Sequence, residues 1–162
     1  MNIFYLDKDP TTCAKYHCDK HVVKMILESA QILCTVINEK AGYQVTPYRS
    51  THRNHPCTLW AGQCFENADW LIDLVRELDD EFMYRFNHKF SHKSWQMLDD
   101  IDIYSLITLY LPKYGKPTPP AQAMPEEYRS ENPVESYRLY YRLDKQHLLK
   151  YSKRERPEWL GE

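Results

Sequence analysis

Long apolar runs are missing from this 162-residue chain. No stretch approaches the ~20 apolar residues that a helix needs to cross a bilayer, so no membrane role is expected. The Met1–Pro10 segment lacks the basic start and apolar run of a secretory leader. Closely spaced cysteine pairs are missing too. Cys13, Cys18, Cys34, Cys57 and Cys64 are odd in number and include no Cys-x-x-Cys. That suits reduced thiols in a cytoplasm rather than a disulfide framework. Glycine is scarce, 4 against 13 tyrosines, which leaves few tight turns and favours long elements. Excess positive charge is absent as well, since a net charge of −2 gives no global signal for nucleic acid.

Apolar residues make up 43% and aromatics 14%, enough to pack a real core and to exclude a disordered chain. The expectation is one all-α domain over residues 1–162, with four to five helices. Charge is unevenly spread. From Glu66 to Glu81 seven acidic residues face only Arg76, whereas from Pro133 to Arg156 seven basic residues face three acidic ones. Each run reads either as a solvated helix face or as one pole of a molecule that attracts phosphate with its basic end.

Residues 2–6 read as a short strand or a buried N-terminal arm. Val22, Ile26, Ala30, Leu33 and Ile37 recur at helical spacing and predict a long helix over about residues 12–38. A loop follows over residues 39–55, and Pro56 can open the next helix. That helix, over about 57–86, has Phe65, Ala68, Ile72, Val75, Leu78 and Phe82 on one stripe with the acids opposite. A shorter helix is expected over about 94–110. Residues 112–125 hold five of the ten prolines and read as an ordered, intradomain crossover. Asn132, Pro133 and Glu135 form a helix start, with the helix running to about Ser152.

At 100° per residue, His17, His21, Lys24, Glu28 and Gln31 fall within about 80° of arc on the first long helix, opposite its apolar stripe. Two imidazoles, an amine, a carboxylate and an amide are the groups of acid–base work, metal binding or polar recognition. Three readings stay open here. The face is merely solvated, with Lys24 and Glu28 as an i,i+4 pair. Or His17 and His21, with His52 and His55, bind a metal in a hydrolase or nuclease, although no known zinc spacing is present. Or the face is a metal-free site with no cofactor, completed when His52, Arg53 and His55 fold over the helix.

Asp19 and His21, with Glu28 seven residues after the histidine, resemble the pyrimidine-dimer DNA glycosylase/AP-lyase family of the endonuclease V type. That family carries Asp-x-His and a catalytic glutamate at this spacing on its first long helix. Met124-Pro125-Glu126-Glu127-Tyr128-Arg129 is similar to the family's Pro-x-Glu-Phe-Arg segment, and Arg156-Pro157-Glu158-Trp159 to its Arg-Pro-x-Trp. The chain also resembles viral proteins labelled with that family name. Those begin with Asn-Ile-Phe and carry His-Cys-Asp-Lys-His-Val-Val-Lys-Met and Thr-His-x-Asn-His-Pro.

The resemblance implies a DNA partner and a base-processing enzyme acting on a damaged or modified nucleotide. It implies an N-terminal α-amine as nucleophile, a role that falls on Met1, with Glu28 handling protons and His21 assisting. An α-amine has a reference pKa of ~7.7–8.0, so a useful fraction is neutral near pH 7. Where the family has arginines near the glutamate, this chain has Leu27 and Gln31. Phosphate contact is therefore expected from Lys20, Lys24, Arg53 and the basic last helix (Arg138, Arg142, Lys145). His17, Gln31, His52, His55 and Gln122 are candidates for polar contacts to a flipped base. The rival is a non-catalytic protein that grips nucleic acid through the last helix, or a host protein through the acidic face.

Overall fold

The three helices expected before the proline-rich segment are each interrupted, and the interruptions set the architecture. The computed structural model describes residues 1–161, and every regular element among them is helical, so the chain is all-α. The elements are α1 (Pro10–Tyr16), α2 (Asp19–Ala41), α3 (Pro56–Ala61), α4 (Phe65–Phe86), α5 (Lys93–Asp100), α6 (Ile103–Tyr110) and α7 (Pro133–Asp144). Seven helices thus stand among the described residues where four or five were expected.

The first two interruptions are held by partners distant in sequence, the third by a local cap. Between α1 and α2, the carbonyls of Lys15 and His17 accept from the Arg85 guanidinium at 2.9 and 2.7 Å. The Cys18 N–H donates to the Tyr141 hydroxyl at 2.9 Å and the Asp19 N–H to the Lys150 carbonyl at 2.8 Å. These bonds satisfy backbone groups that a break would otherwise orphan. Between α3 and α4, the Phe65 N–H donates to the Pro112 carbonyl at 2.8 Å, and the Asn67 amide to the Trp60 carbonyl at 2.8 Å. Between α5 and α6, Asp102 sits at φ 49°, where its carboxylate caps α6 by accepting from the Ser105 N–H at 3.2 Å.

α2 and α4 pack antiparallel, since Arg85 near the end of α4 meets Asp19 at the start of α2. α2 is enclosed on most sides, and Val22, Met25, Ile26, Ala30, Ile32, Leu33 and Ile37 are all buried. Each large side chain among them contributes about 1.5–3 kcal/mol by leaving water. On α4 the expected stripe is buried at Ala68, Ile72, Val75 and Leu78 and half-buried at Phe65 and Phe82. The acids are not all opposite it. Asp79 and Glu81 are internal, Asp79 accepting from the His92 N–H and Glu81 pairing with Arg85 and Arg154.

The proline-rich segment is an ordered strap. Thr118 is tied to Asn67 and Trp60, Glu66 accepts from the N–H groups of Tyr114 and Gly115, and the Ala121 carbonyl accepts from the Tyr137 hydroxyl. α7 starts as expected, with Asn132 capping Val134 and Glu135. The reciprocal bond to the Asn132 N–H comes from Ser130 Oγ at 3.2 Å, not from Glu135. α7 stops at Asp144, eight residues short of the expected end, and a 3₁₀ turn at Gln146–Leu148 follows. Residues 2–6 are not a strand but a buried arm. Within the arm, Phe4 holds φ 53°, a left-handed conformation costing on the order of 1–3 kcal/mol in a non-glycine residue.

Candidate active site

The arm lies along the polar face of α2, so that face is partly covered: His21 is buried while Lys24 stays exposed. Phe4 stacks on His21 with ring centroids 4.4 Å apart and an interplanar angle of 17°. The Asn2 N–H donates to Glu28 Oε2 at 3.3 Å, and the Met1 amino group lies 3.9 Å from the same oxygen. Lys24 Nζ is 3.4 Å from the other Glu28 oxygen. The Met1 side chain is buried, with its sulfur 4.0 Å from Thr58 Oγ1, while the Glu28 side chain keeps 14% exposure. Amine and carboxylate therefore meet at the edge of a pocket of about 300 Å³. Phe4, His21, Met25 and Tyr140 supply its rings and apolar wall, and Lys20, Lys24, Lys145 and His147 supply its cations.

Two histidines beside this pocket are held neutral. Burial, then the neighbouring His17 and Lys24, lowers His21 to about 3. The Tyr141 hydroxyl accepts from the Cys18 N–H and lies 2.8 Å from His21 Nδ1. With its pKa lowered this far, His21 is a neutral imidazole near pH 7 rather than an acid. Burial likewise lowers His55, helped next by the nearby Met1 amine. Its Nδ1 accepts from the Cys57 N–H at 3.1 Å and caps α3.

The other residues singled out from sequence are dispersed. His17 does not share the α2 face, because it lies at the α1–α2 break. It is fully buried beneath the arm, with Nδ1 2.7 Å from the Cys13 carbonyl, and burial lowers it to about 4. Only in one continuous helix would His17 share the arc of His21 and Glu28, and the break at residues 17–18 turns it away. The residues 48–55 do fold against α2, where Thr51 and Thr35 exchange two hydrogen bonds, but this brings only His55 next to Met1. His52 is exposed and bonded to Thr51 Oγ1, and Arg53 pairs with Glu39. Gln31 is half-buried one turn beyond Glu28. Gln122 closes the strap on Ser130 and is not directed at the pocket.

Of the last-helix cations, Lys145 reaches the pocket, its ammonium 4.7 Å from the Tyr140 ring centroid and paired with Asp144. Arg138 is taken up by Asp7 and the Leu6 carbonyl, and Arg142 is exposed away from the pocket lining. Lys153 and Arg154 serve the end of α4. The two surfaces of the non-catalytic reading thus carry less free charge than the sequence suggests. His17, His21, His52 and His55 turn to four different partners, and no group of three or more His, Cys, Asp or Glu side chains converges among the described residues. Sequence reasoning missed Asn2, Tyr140, Tyr141 and His147. Only Asn2, in the Asn-Ile-Phe segment, carried any signal there.

A family model for pyrimidine dimer DNA glycosylase matches residues 1–94, more than half of the chain. The chain belongs to the pyrimidine dimer DNA glycosylase family. The matched region holds the arm, Met1, His21, Glu28 and the helices up to the start of α5. The pocket's second wall, Tyr140, Lys145 and His147, lies beyond it. Neither a curated protein nor a solved structure matches the chain. Membership supports a glycosylase-like role in DNA repair and a DNA substrate.

Proposed function

We propose that the protein is a DNA glycosylase with linked lyase chemistry on a damaged or modified nucleotide, using the Met1 amine as nucleophile and Glu28 as the acid–base group. The observation that carries this is the meeting of that amine with the Glu28 carboxylate at a pocket rimmed by lysines. In its neutral form the amine adds to C1′ of the target deoxyribose. The C1′–base bond breaks, and the base leaves with the bonding pair and takes up a proton. The new C1′–N adduct loses a proton from nitrogen, the C1′–O4′ bond opens, O4′ is protonated, and an imine remains. Removal of a C2′ proton then expels the 3′ phosphate and cuts the strand, and water returns the free amine.

Glu28 is the carboxyl group within reach of these proton transfers. Lys20, Lys24, Lys145 and His147 surround the opening where backbone phosphates would lie. Neutral His21 lines the pocket as a polar contact for the sugar or base. The exposed part of the Tyr140 ring offers a face on which an extruded base can stack.

The test is incubation with duplexes containing an abasic site, a thymine dimer or no lesion, with and without borohydride. The expected result is a reduced adduct on the peptide containing Met1. Glu28→Gln should form it roughly 10²–10⁴-fold more slowly while DNA binding persists. Intact strands and no adduct on any duplex between pH 6 and 9 would overturn the proposal.

A further inference from the structure

Asn2 occupies a more constrained position than any other residue of the arm. Its Nδ2 donates to the Ala123 carbonyl at 2.7 Å. Its Oδ1 accepts from the Tyr137 hydroxyl at 3.0 Å and from the Ile3 N–H at 2.8 Å, with Cys57 Sγ at 3.8 Å. Its own N–H is the one directed at Glu28. Tyr137 is fully buried on α7; its one hydroxyl proton is shared between Asn2 Oδ1 and the nearer Ala121 carbonyl at 2.7 Å, and its oxygen accepts from the Ala123 N–H at 3.3 Å. One side chain thus ties the arm to the strap and to α7, one residue from the amine that faces Glu28. Such an arrangement is excessive for anchoring a chain end, which apolar burial of Ile3, Phe4 and Leu6 already secures. It fixes the rotation of the arm about its own axis, which apolar contacts leave loose because they have no direction.

We infer that Asn2 is the positioning residue of this site, clamped by Tyr137 so that the Met1 nitrogen is held against Glu28. The inference rests on the reading that Met1 supplies the nucleophile. An amine on a free arm would sample many orientations. Clamped, it stays near the attacking position, so the gain belongs to the chemical step and not to DNA affinity. Asn2 touches neither base nor sugar in this scheme and acts through Met1 and, by its own N–H, through Glu28.

The clean variant is Tyr137→Phe, which keeps the buried ring and leaves residues 1–3 unchanged; Asn2→Leu, bulky enough to keep Met1 in place, is the second. Two measurements apply. The first follows removal of Met1 by an added aminopeptidase, read by mass, and needs no DNA. Tyr137→Phe should speed trimming at least fivefold, because the buried Met1 side chain must leave its site to be cut. The second is borohydride trapping on an abasic duplex at saturating protein, beside the duplex Kd. Trapping should slow at least tenfold in both variants, with Kd within twofold and a cooperative melt retained.

Trimming at the native rate in Tyr137→Phe overturns the clamp, as does native-rate trapping in both variants. A native protein that yields no adduct refutes the nucleophile reading instead, and trimming then decides the clamp alone. A matched loss of DNA affinity and trapping would also overturn it, since that is what general loosening of the fold produces.

Discussion

Replacing Arg85 with Met should be among the most damaging single changes outside the pocket. The Arg85 side chain is fully buried, and it donates to Glu81 at 2.7 Å, the His17 carbonyl at 2.7 Å, the Lys15 carbonyl at 2.9 Å and Asp19 at 3.3 Å. The two carboxylates keep other partners, Arg154 for Glu81 and Ser152 for Asp19. The two carbonyls at the α1–α2 break do not. Each orphaned buried carbonyl costs about 1–3 kcal/mol, and breaking a buried ion pair by removing one partner costs about 3–5 kcal/mol. The two estimates describe overlapping losses, so a total near 4 kcal/mol is expected. With a urea m-value of about 2 kcal/mol/M, the unfolding midpoint should fall by about 2 M. Arg154→Met is the control. That side chain is 32% exposed and bonds one carboxylate, so about 1 kcal/mol is expected once solvent screening is allowed for. If Arg85→Met costs no more than Arg154→Met, Arg85 does not hold the α1–α2 break.

Two further outcomes follow from the charges. Alanine at Lys20, Lys24 and Lys145 together should reduce the slope of log affinity against log salt by about 2, since each released phosphate contact is worth about 0.9 and Lys145 is already half-neutralised by Asp144; an unchanged slope in a DNA titration would place the phosphates elsewhere. Acid should destabilise the fold well before its carboxylates titrate. His17 and His21 sit at about 4 and about 3 in the folded chain against a model-peptide value near 6.5, so the unfolded chain binds more protons between those limits and stability rises with pH there. The unfolding free energy should therefore fall from pH 6.5 to pH 4, by up to about 1.4 kcal/mol per pH unit for each histidine, with Asp79, raised by burial, opposing weakly at the acid end. His17→Gln should flatten that slope in urea titrations at several pH values, and an unaltered slope would mean that His17 is not the buried neutral group described.

Much of this molecule follows from local chemistry. Helical periodicity in Val22, Ile26, Ala30, Leu33 and Ile37 requires an α2-like helix wherever these residues are buried, and Asn132-Pro133 requires a helix start. The spacing of His21 and Glu28 puts both on one side of that helix, which is as much of the site as a single element can determine. The breaks within the predicted helices were not legible, because nothing local ends α1 at Tyr16. The helix stops there because Arg85, Tyr141 and Lys150 accept or supply its backbone hydrogen bonds from elsewhere in the chain. The same holds for the site. A polar stripe on a helix looks alike whether water or protein covers it, and the arm that brings Met1 to Glu28 is held by a tyrosine 135 residues away. Local propensity decided where the helical segments lie and, within an unbroken helix, which face each side chain takes, because those depend on neighbours within about two turns. The tertiary structure alone decided where the helices break, which histidines are neutral, and that an amine and a carboxylate meet, because those depend on bonds between segments that only packing brings together.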